Sequence, residues 1–223
     1  MSFSPFWDLS SIFKNVFEQG DFFHPGLAGE FRKSVRHNIG VPENAPLMLF
    51  VGSGYERKGV PQLLRAFARM HRKDAHLLIV GADRKLKGMQ TMAKMLQIGT
   101  RVHFIGAVKD ARPYYGAADG FVLPTLYDPC PNAALEAMAC GLPIVTSKNC
   151  GASEWVVQEK NGFVVDALDI DALAEALDRL CDWAGNAEHR QFSCAAVAEL
   201  TLSNMASRLL ALYGSLQTAG GDV

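Results

Sequence analysis

The chain has 223 residues, of which 49% are hydrophobic, and its 22 basic and 23 acidic residues leave a net charge of −1 at pH 7. This length holds one large domain or two small ones, and the composition can fill a core. The balanced charge disfavours nucleic acid and other polyanions as partners. No apolar run approaches the roughly 20 residues that a membrane-spanning helix needs.

Residues 1–20 are rich in phenylalanine, and their apolar residues recur at helical spacing. These residues are Phe6, Leu9, Ile12, Phe13, Val16 and Phe17. The pattern predicts an amphipathic helix that packs on the body of the chain or on a second copy, in a homodimer. Peripheral contact with the inner face of a membrane is the alternative, and it is disfavoured because Lys14 is the only basic residue of the segment.

Residues 21–46 form a predicted lead-in to a domain at residues 47–217, and residues 218–223 are predicted to be a disordered tail. Within the domain, apolar runs alternate with helical patterns. The runs predict strands at 47–51, 76–80, 102–105, 121–123, 143–145 and 163–165. The helical patterns lie at 60–72, 85–96, 112–118, 133–140, 168–183, 187–200 and 202–216.

This alternation predicts an α/β fold, with a Rossmann-like parallel sheet that carries helices on both faces. Ligands of such sheets bind at the carboxyl ends of the strands, so chemistry is expected in the loops that follow the strands. The helix predicted at 85–96 is expected to bury four apolar side chains. They are Met89, Met92, Met95 and Leu96.

The loop after the first strand combines glycines with two cations. It reads Gly-Ser-Gly-Tyr-Glu-Arg-Lys-Gly over residues 52–59. Glycines allow a ligand to approach the backbone closely, and Arg57 and Lys58 stand beside the positive end of the next helix. The combination suits a diphosphate, although its spacing is neither that of a P-loop nor that of the dinucleotide-binding fingerprint. A solvated basic turn is the alternative.

A second cluster lies between the fourth and fifth strands. Asp128 stands in the loop after the fourth strand, and Glu136 stands in the short helix that follows. The free backbone N–H groups at residues 132–134, where this helix starts, can bind a phosphate. A carboxylate at position 136 can accept hydrogen bonds from a ribose diol. Alternatively, Glu136 is an exposed helix residue and Asp128 forms a turn.

No metal site is expected. The five cysteines are Cys130, Cys140, Cys150, Cys181 and Cys194. Their spacing does not match that of zinc ligands, and their odd number without a C-x-x-C pair indicates reduced thiols in a cytoplasmic protein. Asp169-Ile170-Asp171 looks like a metal-binding D-x-D motif, but it directly precedes a helical pattern, where acids cap and start a helix.

Several motifs follow one another in the order that one enzyme family shows. They are Phe50-Val51-Gly52 with Glu56-Arg57-Lys58-Gly59, Leu78-Ile79-Val80-Gly81, Val102-His103-Phe104-Ile105-Gly106, Ala117-Ala118-Asp119, Leu135-Glu136-Ala137-Met138-Ala139-Cys140-Gly141-Leu142-Pro143, Gly151 with Glu154, and Asn161-Gly162-Phe163-Val164-Val165. From about Asp21 to Leu216, the chain resembles the C-terminal half of a family 4 (group 1) glycosyltransferase with the two-domain GT-B fold. Asp128 and Glu136 are similar to the family's E-x7-E signature. The loop at 51–59 most resembles that of glucosyltransferases that build the lipopolysaccharide core.

The resemblance implies a role for the charged residues. Arg57 and Lys58 would neutralise the diphosphate of a nucleotide sugar, close to the backbone of Gly52, and would stabilise the leaving group. Asp128 would meet hydroxyls of the donor sugar, and Glu136 would hold the ribose. The reaction implied is retaining glycosyl transfer without a metal or another cofactor, with cations and a helix dipole in the place of a divalent ion.

The resemblance also implies contacts for the rest of the donor. The N–H groups of Asn132, Ala133 and Ala134 would help to bind the phosphate. Ala107 or Val108 would contact the base, which through resemblance is uracil, so that the donor is a UDP-hexose.

The sequence departs from the family in two places. The first acid of the signature is Asp128 instead of Glu and is one methylene shorter, and Cys130-Pro131-Asn132 replaces the usual residues beside it. The family's N-terminal acceptor-binding domain is expected to be missing here, or supplied by a partner chain, because the first strand is already predicted at residue 47.

Three other functions are alternatives to glycosyl transfer. A non-catalytic nucleotide-sugar-binding module, or a remnant kept for interaction, is the second hypothesis. A sugar-nucleotide epimerase is disfavoured, since the two acids with the Arg-Lys-Gly turn fit retaining transferases better. An NAD dehydrogenase is weaker still, because the glycine fingerprint is absent.

Overall fold

The computed structural model describes residues 22–219, without the side chains of Leu202 and of residues 214–219. The amphipathic segment predicted at residues 1–20 lies outside the described residues. The elements in chain order are α1 (Leu27–Ile39), β1 (Leu47–Val51), α2 (Val60–Arg69), β2 (His76–Val80), α3 (Leu86–Met95), β3 (Val102–Gly106), α4 (Arg112–Ala117), β4 (Gly120–Leu123), α5 (Asn132–Ala139), β5 (Ile144–Ser147), a 3-10 turn (Gly151–Trp155), β6 (Gly162–Val165), α6 (Ile170–Asp182), α7 (Ala187–Val197) and α8 (Leu202–Ala219).

The described strands form one six-stranded sheet in the order β3-β2-β1-β4-β5-β6. Every neighbouring pair runs parallel. The strands consist of near-continuous apolar runs because both faces of the sheet are covered. This architecture confirms the predicted Rossmann-like α/β fold. The strand order reverses beside β1, where the chain crosses back from β3 to β4, and open sheets of this kind bind ligands at that reversal.

Two layers of helices cover the sheet. Helix α2 packs against α3 and α6, whereas α1 packs against α4, and α5 against α7. Amphipathic faces explain the packing: α2 buries Val60, Leu63 and Phe67, and α6 buries Leu173 and Leu177. The predicted strands and helices are all present, and their ends lie within three residues of the predicted ones.

Helix α3 buries fewer side chains than predicted. Met89 is buried and Met92 and Leu96 are partly buried against the core, but Met95 is exposed. The prediction for Met95 is wrong because position 95 lies six residues after Met89, about 120° away around the helix and outside the face that packs on the core. At the other end of the domain, α8 continues to Ala219, two residues into the predicted disordered tail, whereas residues 220–223 are not described.

The predicted lead-in packs on the domain through α1 and a buried ion pair. Arg36 is fully buried, and its guanidinium donates to the carbonyls of Ala117 and Ala45 at 3.0 and 2.8 Å and to the Asp119 carboxylate at 2.6 Å. Asp119 also accepts from Arg32 at 2.7 Å and from the backbone N–H of Leu47 at 2.9 Å. Two arginines of the lead-in therefore bind the aspartate that lies at the amino-terminal ends of β1 and β4, and this contact fixes α1 on the sheet.

Candidate functional site

Two loops meet at the carboxyl ends of β1 and β4. Gly59, at the end of the β1 loop, has φ +76°, and a β-carbon there would lie 1.9 Å from the carbonyl oxygen of Pro124 in the β4 loop. Only glycine allows both this conformation and this approach. The carbonyl of Arg57 accepts from the Leu126 N–H at 2.8 Å and from Thr125 Oγ1 at 3.0 Å. The two loops are thus bonded into one unit.

Lys58 lies along the backbone of the glycine-rich loop. A β-carbon on Gly52 would approach Lys58 Cδ to 2.8 Å, and Gly52 itself has φ +153°. The glycine therefore makes room for the lysine stem, and the Lys58 side chain is only 13% exposed. Its ammonium group is consequently held at the edge of the sheet instead of extending into solvent.

Asp83, which follows β2, holds the same loop from the other side. Its carboxylate accepts from the backbone N–H of Tyr55 at 2.9 Å and from that of Lys85 at 2.7 Å. These donors lower the pKa of Asp83. The Lys85 ammonium in turn pairs with the Glu56 carboxylate. Asp83 was not among the predicted site residues, although its place just after the glycine that follows β2 was a signal that could have pointed to it.

Asp128 lies between the two cations of the loop. Its Oδ2 is 3.3 Å from Lys58 Nζ and 3.6 Å from Arg57 Nη1, and Arg57 Nη1 donates to the Tyr127 carbonyl at 2.7 Å. The carboxylate is 11% exposed, yet none of the described residues makes a hydrogen bond to it. A largely buried acid that attracts two cations without hydrogen bonds is typical of a site that a ligand completes.

The N-terminus of α5 lies next to this cluster in the chain. The helix starts at Asn132 after Pro131, without a side-chain cap. The Ala134 N–H donates to the Pro131 carbonyl at 3.0 Å, so it is engaged. Within the described residues the N–H groups of Asn132 and Ala133 have no acceptor, which narrows the predicted anion site to these two donors.

Glu136 lies on the first turns of α5 and is hydrogen-bonded to a tyrosine that was not predicted as a site residue. Tyr115 Oη donates to Glu136 Oε2 at 2.8 Å. Burial raises the pKa of Glu136, while the Tyr115 hydroxyl and the positive charge of Lys58 lower it. Glu136 is thus not an exposed helix residue, and Lys58 is near enough for its charge to act on the carboxylate. Tyr115 carries no signal in the sequence beyond its place in a short helix before β4.

The predicted site residues do not all come together. Arg57, Lys58, Asp128 and the start of α5 surround the ends of β1 and β4. Ala107 and Val108 follow β3, which is two strands away from β1, or about 10 Å at the usual strand spacing.

The D-x-D sequence lies elsewhere and has a structural role. Asp169 caps α6 by accepting from the Ala172 N–H at 3.0 Å, and Asp171 pairs with Arg69 at 2.6 Å. This confirms the predicted helix cap. Within residues 22–219, no three His, Cys, Asp or Glu side chains are grouped as metal ligands would be. None of the helices described there is long and apolar enough to cross a bilayer.

Similar proteins give these residues a context. An uncharacterized glycosyltransferase of Methanocaldococcus jannaschii is 34% identical over 165 residues, which are 72% of this chain and 42% of that protein. The lipopolysaccharide glucosyltransferase WaaG of Escherichia coli is 30% identical over 169 residues, or 71% of this chain and 45% of WaaG. The chain therefore spans less than half the length of these relatives.

Solved structures agree with the fold. The crystal structure of WaaG, a glycosyltransferase involved in lipopolysaccharide biosynthesis, superposes with a TM-score of 0.66 at 26% identity and covers 75% of this chain and 46% of WaaG. Anabaena HepE in complex with UDP-glucose superposes with a TM-score of 0.73 at 23% identity, over 86% of this chain and 56% of HepE, which is a likeness of fold.

The family profile itself spans most of the sheet. The profile described as glycosyl transferases group 1 matches residues 45–182, which run from just before β1 to the end of α6 and include every charged residue of the site. The match covers more than half of the chain. The chain belongs to the group 1 glycosyltransferase family.

Proposed function

We propose that this chain binds the donor of a glycosyltransferase: a nucleoside-diphosphate sugar, with UDP-hexose as the preferred form. The observation that carries the proposal is the meeting of Arg57, Lys58 and Asp128 at the ends of β1 and β4, beside the uncapped start of α5. Two cations and two free N–H groups suit a diphosphate, which is doubly anionic or more and needs several donors.

Each part of the donor has a matching group. The diphosphate binds Arg57, Lys58 and the N–H groups of Asn132 and Ala133. The ribose hydroxyls donate to the Glu136 carboxylate. The base reaches across the sheet towards Val108, which is half-buried and apolar.

The chemistry proposed is retaining transfer of the hexose without a metal. As the bond between sugar and phosphate breaks, negative charge grows on the leaving diphosphate. Lys58 and Arg57 stabilise that charge, and the positive end of α5 adds to their effect. In the bound donor the diphosphate takes the place of Asp128 beside the cations, so Asp128 is free to bind hydroxyls of the sugar.

The biological setting proposed is the synthesis of lipopolysaccharide or a related glycan. It rests on the identity with WaaG, which extends over most of this chain. The acceptor is assigned to a separate N-terminal domain or to a partner chain, since the matched relatives are more than twice as long as the part they share with this chain.

A thermal-shift panel of UDP-, GDP- and ADP-sugars, with and without Mg²⁺, tests the proposal. At a hundredfold excess over Kd a ligand stabilises the fold by about 2.7 kcal/mol, which raises Tm by roughly 5–10 °C in a protein of this size. We expect this shift with UDP-glucose and no dependence on Mg²⁺. An equal absence of shift with all three nucleotides would overturn the proposal. Donor hydrolysis in the same samples separates catalysis from binding alone.

Glu136→Gln tests the ribose assignment. The substituted side chain keeps an oxygen and its shape but loses the charge that the ribose hydroxyls bind. We expect calorimetry to show a larger loss of affinity for UDP than for pyrophosphate, which has no ribose. Equal losses for the two ligands would remove Glu136 from the ribose site.

A further inference from the structure

The hydroxyl of Tyr115 has two acceptors, and both belong to α5. Glu136 Oε2 lies at 2.8 Å and the Ala133 carbonyl at 3.2 Å. A tyrosine hydroxyl has a single proton, and the shorter contact leads to the carboxylate, a stronger acceptor than a carbonyl. The bond therefore orients the Glu136 carboxylate and ties it to Tyr115 of α4.

The other oxygen of Glu136 stays available. Among the described residues no donor reaches Glu136 Oε1, and this atom is not one of their buried side-chain atoms without a partner. This oxygen therefore keeps some exposure to solvent. One oxygen is thus held by the protein, and the other keeps its lone pairs free to accept from ribose hydroxyls.

The tyrosine itself is held firmly. Tyr115 is 1% exposed, and its ring packs edge-on against Phe23 at 5.4 Å and is stacked on Phe121 at 6.2 Å. Phe121 belongs to β4, and Phe23 precedes α1. Packing in the core thus fixes the position of the Tyr115 hydroxyl, and the hydrogen bond to this hydroxyl fixes the orientation of the Glu136 carboxylate.

We propose that Tyr115 is the positioning residue of the ribose site and acts through Glu136. This inference rests on the proposed function, because it concerns the same nucleotide site. Three groups face the Glu136 carboxylate: Lys58 from the β1 loop, Tyr115 from α4, and Cys140 at the end of α5. Burial raises the pKa of Cys140, so this thiol stays neutral near pH 7.

Tyr115→Phe removes the hydroxyl and keeps the ring in its packing. We expect affinity for UDP to fall about three- to tenfold, the range of one hydrogen bond, while affinity for pyrophosphate is unchanged. The matched control is Tyr114→Phe. Tyr114 is the adjacent, half-buried tyrosine, and its hydroxyl has no hydrogen-bond partner among the described residues.

The pH profile separates positioning from a purely structural role. Tyr115 lowers the pKa of Glu136, so its loss raises that pKa further. Because the ionised carboxylate binds the ribose, the affinity of Tyr115→Phe for UDP should start to fall at a higher pH than that of the wild type as the solution is acidified. The titration of the phosphate groups is common to all variants. 3-Fluorotyrosine at position 115 is a more acidic donor of the same shape. It should move the acid limb of the profile, which is the fall of UDP affinity on acidification, to lower pH.

A double-mutant cycle completes the test. If Tyr115 acts through Glu136, Tyr115→Phe has no further effect on UDP binding once Glu136→Gln is present. Additive losses, an unmoved pH limb, or equal losses for UDP and pyrophosphate would overturn the inference while leaving the donor site in place. A wild-type chain that binds neither UDP nor pyrophosphate would overturn both proposals.

Discussion

Each end of strands β1 and β4 carries an aspartate between two cations, but among the described residues only one of the two carboxylates is hydrogen-bonded. At the amino ends Asp119 lies between two arginines, and at the carboxyl ends Asp128 lies between an arginine and a lysine. Asp119 is 2% exposed and accepts hydrogen bonds from Arg32, Arg36 and a backbone N–H at 2.6 to 2.9 Å. Asp128 is 3.3 and 3.6 Å from its cations and accepts no hydrogen bond from the described residues.

The difference agrees with a structural role for the Asp119 cluster and with the ligand-binding role proposed for the Asp128 cluster. A buried ion pair is tolerated when every partner is bonded, because desolvation of the charges is offset. The Asp119 cluster meets this condition and joins α1 to the sheet. The Asp128 cluster keeps Lys58 and half-exposed Arg57 without a hydrogen-bonded acid, so an incoming anion can bind them.

The largest expected effect is on folding, from Asp119→Ala. Removal of the acid leaves buried Arg36 without its counter-charge, and breaking a buried pair in this way costs about 3–5 kcal/mol. Urea denaturation measures the loss, and UDP affinity of the folded fraction should stay as in the wild type. A loss of stability below about 1 kcal/mol, the level of exposed ion pairs, would mean that the Asp119 cluster does not stabilise the fold more than an exposed pair does.

The next effect is on binding, from Lys58→Ala or Arg57→Ala. Loss of a charged hydrogen-bond partner costs about 1.5–3 kcal/mol, or roughly 10- to 150-fold in affinity for UDP by calorimetry. Stability should change little, since neither side chain makes a hydrogen bond to an acid among the described residues. Arg69→Ala, which breaks only the exposed pair with Asp171, is the control. Unchanged affinity in both site variants would contradict the diphosphate assignment.

The smallest expected effect comes from Asp128→Asn, which should strengthen UDP binding where the Arg57 and Lys58 variants weaken it. Asp128 competes with the diphosphate for both cations, so its neutral isostere should bind UDP up to about fivefold more tightly, the range of a modest ion pair. UDP-glucose should gain less than UDP, since the same carboxylate is proposed to meet the sugar. Calorimetry with UDP and with UDP-glucose, on the wild type and on Asp128→Asn, measures the two gains in affinity. A larger gain for UDP-glucose would exclude the sugar contact.

Much of the fold could be predicted because its signals are local. The strands are apolar runs, and the first three end in or next to a glycine. The cations and acids stand in the loops after β1 and β4, so the parallel topology alone brings Arg57, Lys58 and Asp128 together. The contacts of Arg36 with Asp119 and of Tyr115 with Glu136 join positions 83 and 21 residues apart. Tertiary packing determines such pairs, and no periodicity of the sequence predicts them.

The carbonyl of Arg57, which accepts from both Leu126 N–H and Thr125 Oγ1, has a consequence for the cost of binding. Since these bonds and the contact of Gly59 with Pro124 join the two loops before any ligand arrives, a donor does not have to immobilise them. The conformational entropy that flexible loops lose on association is then already lost in the empty protein. More of the attraction between cations and diphosphate is therefore expressed as affinity, and the amide proton of Leu126 should exchange slowly with solvent even without a ligand.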